Sequence, residues 1–307
     1  MKMRIMADGK WPVLLLACAS PLLAQQRGGP GCHVTIVDAG GRNPRVVYEG
    51  PRHFEAPNWS PDGKWLVLNA EGKLWRLSAT GGEPEVIPTG DVKNINNDHG
   101  ITRDGKTLAI SAGHIYTLPF EGGAPRRLTE KTPSYFHGWS PDGRTLAYCA
   151  QRDKNFDLYA IDADGGPERR LTSHTGYDDG PDYSPDGAWI YFNSDRSGSW
   201  DIWRIPAAGA GPDDAKAERV TSDDLEDWFP HPSPDGKYLV FVSFPKGTVG
   251  HPAGKDVVLR RMPMPGPRLE PAPIRELLRL HGGQGTLNVN SWSPDSTRFA
   301  FVQYDRE

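Results

Sequence analysis

Apolar and polar residues alternate in short runs along most of the chain, and no helix of useful length is predicted after residue 25. Leu66 and Leu68, or Leu146 and Tyr148, stand two apart, the period that turns one face of a strand toward a core. A second apolar run follows each of these, as in Leu74-Trp-Arg-Leu77, Ile115-Tyr-Thr-Leu118, Leu158-Tyr-Ala-Ile161 and Ile202-Trp-Arg-Ile205. A Gly-rich turn and a further short segment then complete the unit, as in Gly122-Gly-Ala-Pro-Arg-Arg-Leu-Thr129 and Gly165-Gly-Pro-Glu-Arg-Arg-Leu-Thr172. The pattern predicts four short antiparallel strands per roughly 40 residues.

Each unit opens on the same turn. Trp59-Ser-Pro-Asp-Gly63 recurs at Trp139, Tyr183, Pro232 and Trp292, with Ser296 in the last glycine's place and a weaker copy at Ile101-Thr-Arg-Asp-Gly105. The motif aspartates fall at 62, 104, 142, 186, 235 and 295, so the spacings are 42, 38, 44, 49 and 60. Proline presets φ for the first central turn position, aspartate bonds nearby N–H groups, and glycine supplies the left-handed conformation. One aspartate per hairpin, always in the turn, is scaffold rather than acid–base machinery.

Six such units make a six-bladed β-propeller. The approximate blades are 54–90, 92–129, 133–172, 176–222 and 226–280. The sixth is shared: His33-Val-Thr-Ile-Val-Asp38 and Arg45-Val-Val-Tyr48 supply its outer strands, and residues 287–304 its inner two. These motifs resemble the TolB-like family of bacterial β-propellers over almost all of residues 33–307. The resemblance implies the propeller fold and a scaffold that binds a protein of the cell envelope through its blade faces. TolB proteins of the Tol–Pal envelope system carry an α/β domain ahead of the propeller, and residues 25–32 leave no room for one.

Lys2, Arg4 and Lys10 precede an apolar run from Trp11 to Leu23, which reads as a secretory signal (residues 1–24) cleaved after Ala24. The competing reading is a lipoprotein acylated at Cys18. Residues 25–32 form a flexible leader, and no transmembrane span follows the signal. Periplasmic or secreted protein is the expectation. With Cys32 and Cys149 as the remaining cysteines, no disulfide framework is indicated, and Cys149 reads as a buried thiol. A net charge of −4 without a basic cluster excludes nucleic acid as a partner.

The loops entering each first strand carry the candidate chemistry. His99 and His137 stand five residues before their motif aspartates, His231 and Asp182 four. Equivalent positions converge on one channel mouth, so His99, His137 and His231 are candidate ligands for one divalent metal ion. Asp98, Asp178, Asp179, Asp182 and Gln284 complete a polar mouth. Arg152 and Arg196 face either an acidic ligand there or their neighbours Asp153 and Asp195. His251 lies in an insertion, residues 245–255, that shares this face, while the Pro-rich stretch 262–273 belongs to the other. Two functions fit: a module binding a small molecule, saccharide or envelope protein, or a metal-dependent lyase or hydrolase acting on an acidic saccharide. The second reading draws on a looser likeness to propeller oligogalacturonate lyases, which hold a central metal with His and Gln.

Overall fold

The computed structural model describes residues 31–306, so the expected signal, its cleavage site and Cys18 lie outside the described residues. Five four-stranded antiparallel sheets and one three-stranded sheet form the six blades, with strands in sequence order inside each of the five. The one helical element among the described residues is a 3₁₀ turn, Pro212–Asp214. No helix of the described residues is long and apolar enough to cross a membrane.

The turn motif behaves as its residue types dictate. In the first blade the Ser60 hydroxyl donates to Asp62 Oδ1 at 2.6 Å and accepts from the Trp65 N–H, while Asp62 Oδ1 also accepts from the Lys64 N–H. The hydroxyl-to-carboxylate bond is repeated in all six copies, from Thr102 in the weak one. The Ser60 bond, with help from the Lys64 N–H, holds the Asp62 carboxyl below its usual pKa. Ser296, in the glycine slot, still takes φ 60° and sends its hydroxyl to accept from the Asp235 N–H of the neighbouring turn.

Both termini build the sixth blade. Cys32–Asp38 lies between Arg45–Gly50 and Arg298–Tyr304, pairing from Cys32 against Tyr304 to Asp38 against Arg298. The expected inner strand, 287–292, is not a regular one: a single bridge joins Trp292 to Phe299, with isolated bonds from the Val302 and Ala300 N–H groups. Its asparagines explain this. Asn288 Oδ1 accepts from the Gly285 N–H, and Asn290 reaches across the channel, so side chains compete with the ladder.

Apolar clusters join each blade to the next. Val34, Phe54, Leu66, Trp75 and Val302 tie the closing blade to the first, and Trp228, Val242, Leu287 and Phe301 tie it to the fifth. Cys32 and Cys149 are buried and free, and burial pushes the Cys32 thiol up to about 12. Outer strands are short: Arg126–Arg127, Arg169–Arg170 and Glu218–Arg219 have two residues each, against nine in Arg275–Gly283. The Pro-rich loop after Ala253–Pro263 lies toward the turn-motif face, where the buried Arg204 donates to the Gly266 and Pro267 carbonyls.

Candidate functional site

Inner strands run from the insertion face down to the turn-motif face, and four of them carry a bulge. The pairing slips between Glu55 and Asn58, Phe136 and Gly138, Asp179 and Asp182, and Trp228 and His231. Ala56, Gly180 and Phe229 occupy the same place in three of these bulges, six residues before the motif aspartate, at φ 55°, 61° and 54°. A Cβ on Gly180 would approach Asn193 Oδ1 to 2.6 Å and Phe229 Cδ1 to 2.9 Å, so only glycine fits there. A bulge re-aims the side chains around it.

That difference separates the two histidines of equal sequence offset. His99 sits in an unbulged strand, opposite Ile110, and its Nε2 donates to the Val67 carbonyl of the first blade at 3.2 Å. Burial pushes its pKa down to about 4. His137 is the residue skipped by the ladder, and its Nε2 instead lies 3.1 Å from Asp179 Oδ1 and 4.0 Å from Asp98 Oδ1.

A closed acidic–imidazole cluster results at the insertion end. His251 Nε2 stands 3.9 Å from Asp179 Oδ2, with its ring against Trp228 and Phe229, so the insertion folds over the mouth. Phe229 also stacks on His137 at 5.9 Å. Burial opposes charge on His137, but Asp98 and Asp179 beside it outweigh that and raise its pKa. Burial lowers that of His251. Asp98 is pushed up to about 6, first by burial and then by the charge of Asp179, against the pull of His137.

The sign of that shift is testable. A folded-state pKa above the unfolded value of about 3.8 gives a contribution present below pH 3.8 and lost as pH rises through about 6. Asp98→Asn is therefore expected to be more stable than the parent at pH 7, by about 1–3 kcal/mol, because it removes a strained charge at the cost of the attraction to His137. Denaturant unfolding should show the two proteins converging below pH 4. Equal stability at pH 7 would contradict the strain.

Deeper in the channel, His231 Nδ1 lies 3.1 Å from Asp182 Oδ2 and its Nε2 3.1 Å from the Leu287 carbonyl. Both nitrogens point at protein acceptors, so neither is turned toward a place a metal could occupy. The expected set of His99, His137 and His231 is not brought together, and among the described residues no group of three His, Cys, Asp or Glu could hold a metal ion. Asn290 Nδ2 shares Asp182 at 2.9 Å.

Three further expected residues leave the channel. Asp178 is fully buried and both its oxygens accept from Arg196 Nη2, which also lies 3.1 Å from Asp214. Arg152 pairs with Glu168 and donates to the Pro133 carbonyl and the Ser134 hydroxyl. The pairing of these arginines with Asp153 and Asp195 is thus replaced by partners from more distant sequence, buried at Asp178 and Asp214 and half-buried at Glu168, and Asp195 instead accepts from the Tyr177 N–H. Gln284 meets the insertion through its backbone N–H, which donates to the Pro252 carbonyl at 3.3 Å.

The channel opens at the opposite end. There the turn motifs surround a cavity of about 340 Å³, walled by Asn58, Trp59, His99, His137, Asp182 and Asn290 and rimmed by the motif prolines and Arg103. Sequence reasoning placed the mouth at the other face and passed over Asn58, Asn290 and Arg103. The signal for Arg103 was present: it stands where the other five motifs have proline.

A family model described as the TolB beta propeller domain matches residues 131–257. An uncharacterised protein of Agrobacterium fabrum is 49% identical over 287 residues, 90% of this chain and 94% of that one. The Tol-Pal system protein TolB of Bordetella pertussis is 27% identical over 182 residues, 59% of this chain but 33% of that protein. Among solved structures, one from Agrobacterium tumefaciens, provisionally named TolB, superposes with TM-score 0.85 at 47% identity, over 91% of this chain and all of that one. An oligogalacturonate lyase from Vibrio parahaemolyticus shares the fold alone, with TM-score 0.52 at 15% identity over 83% of this chain and 75% of that one.

Proposed function

The chain belongs to the TolB-like β-propeller family, and from that premise we propose that it is an exported binding module of the cell envelope that takes its partner at the turn-motif end of the channel. The observation carrying this is the asymmetry of the channel. One end is roofed by His251 over Asp179, Trp228 and Phe229, and the other opens into the 340 Å³ cavity. A concave site with a few convergent polar groups is where a propeller offers a partner the most contact per residue. The Tol–Pal TolB of Bordetella pertussis supports the envelope setting, although this chain spans a third of its length.

Photo-crosslinking residues placed at Arg103 and at Val249 test the choice of end. Val249 is 83% exposed on the insertion. Specific adducts with envelope material are expected from position 103. Adducts confined to position 249 would move the binding surface to the insertion face.

A further inference from the structure

We infer that the strap of residues 245–252 is an acid-opened lid over the insertion-end mouth of the channel, with His251 as its latch. The device goes beyond the binding reading above and acts at the other end of the channel. Lys246 ties the strap to Asp224 at 2.8 Å, but both side chains are exposed, and such pairs contribute little. The Gly247 N–H donates to Glu226 Oε1 at 2.8 Å, and the Gln284 N–H to the Pro252 carbonyl at 3.3 Å. Gly250 and Gly254, on either side of His251, take φ 64° and 67° with open space where a Cβ would stand. Those glycines therefore supply backbone freedom rather than packing. Closure rests on the His251 ring, 4.4 Å from that of Trp228 and 5.1 Å from that of Phe229.

What a proton on His251 meets decides the direction of the switch. Its Nε2 stands 3.9 Å from Asp179 Oδ2, beyond hydrogen-bond reach. Asp179 is already engaged: Oδ1 lies 3.1 Å from His137 Nε2 and accepts from the Gly180 N–H, and Oδ2 accepts from the Tyr177 hydroxyl. The other acids of the surrounding strands and loops are committed too. Asp98 lies at His137, Arg196 holds Asp178, Arg260 holds Asp227, and Asp182 is shared by His231 and Asn290. Glu226 accepts from the Gly247 and Trp200 N–H groups, and the half-buried Glu55 lies 3.7 Å from His53.

Above neutral pH two carboxylates, Asp98 and Asp179, face the His137 imidazole beneath an uncharged His251. As pH falls, His137 is charged and Asp98, pushed up to about 6, takes up a proton, so one carboxylate faces one imidazolium. A proton on His251 then adds unbalanced charge to a closed site. His251 is the one of these four residues that sits on an insertion, so its departure disturbs the blades least. With 16% of its side chain exposed, it takes that proton from solvent while the strap is still closed. Burial lowers its pKa from 6.5 in the closed state, so closure is fully favoured above pH 6.5 and weakens as pH falls below it.

Hydrogen–deuterium exchange of the intact protein, one unit above and one below that pH and corrected for the intrinsic exchange rate, tests this. Protection of the Gly247 and Gln284 amides should fall about three- to tenfold at the lower pH, tenfold being the ceiling for one proton. The amides of Cys32–Asp38 should keep theirs, which separates opening of the strap from loosening of the whole ring. His251→Phe keeps a ring in the seat with no proton to take up, and should hold equal protection at both pH values. His251→Ala should lose protection at both. Equal protection of the parent at the two pH values would overturn the latch. Greater protection at the lower pH would overturn it as well, by showing that Trp228 and Asp179 hold an imidazolium in place. A loss that His251→Phe shares would assign the pH response to Glu226 or Asp224 and remove His251 as the switch.

Discussion

Deletion of residues 298–307 is expected to abolish the folded state. Those residues hold the strand that pairs with all seven residues of Cys32–Asp38 and buries Phe299, Ala300, Phe301, Val302 and Tyr304. At about 1.5–3 kcal/mol for each large side chain, the lost burial is on the order of 10 kcal/mol, comparable to the whole stability of an ordinary domain. The cut also bares the edge of Cys32–Asp38 and the apolar faces of the first and fifth blades. Thermal melts followed by circular dichroism should lose their cooperative transition, and size-exclusion chromatography should show aggregate. A truncated chain that stays monomeric and melts as the parent does would mean that the ring does not close through its termini.

Replacing Arg196 by Met is expected to cost about 3–5 kcal/mol at pH 7. Asp178 and Asp214 are both buried, and the guanidinium between them is their shared cation. Methionine keeps an unbranched apolar stem but removes the guanidinium that lies over Phe192 and Trp203, and it leaves two carboxylates without compensation. Burial already raises the pKa of Asp178 even with Arg196 present. Without it Asp178 should take up a proton more readily still, so the deficit should shrink as pH falls. Guanidinium unfolding at pH 7 and pH 5 with an unchanged slope measures this. A loss under 1 kcal/mol at pH 7 would show that water reaches the pair.

The fold was legible because its signals are local. Each Ser-Pro-Asp-Gly copy specifies its own turn through bonds spanning two to five residues, and period-two alternation specifies the strands around it. Closure was legible from the unmatched strands at either end, though the asparagines that loosen 287–292 act through partners the sequence does not place nearby. The site was legible in composition and not in direction. His99 and His137 share an offset, yet one bulge turns His137 toward Asp179 while His99 faces a backbone carbonyl. Bulges at Ala56 and Phe229 use residues that ordinarily avoid positive φ, so no glycine announces them. Arg152 and Arg196 choose Glu168 and Asp214, 16 and 18 positions away, over adjacent acids because the blade interior desolvates the pair and favours a fixed fork geometry.

The brevity of the outer strands bears on how the molecule behaves in a crowd. An edge of two residues, as at Arg126–Arg127, Arg169–Arg170 and Glu218–Arg219, offers almost no ladder on which a neighbouring chain could extend a sheet. Around most of its circumference the propeller therefore resists strand-to-strand association at high concentration. Arg275–Gly283 on the fifth blade, with nine residues, and Arg45–Gly50 on the closing blade, with six, are the longer outer edges. Arg275, Glu276 and Arg279 along the fifth-blade edge are exposed charges, which discourage a second strand from settling there. Self-association under stress is thus concentrated at these two neighbouring blades, and neutralising the three charges on the longer edge is a direct route to a protein that precipitates while still folded.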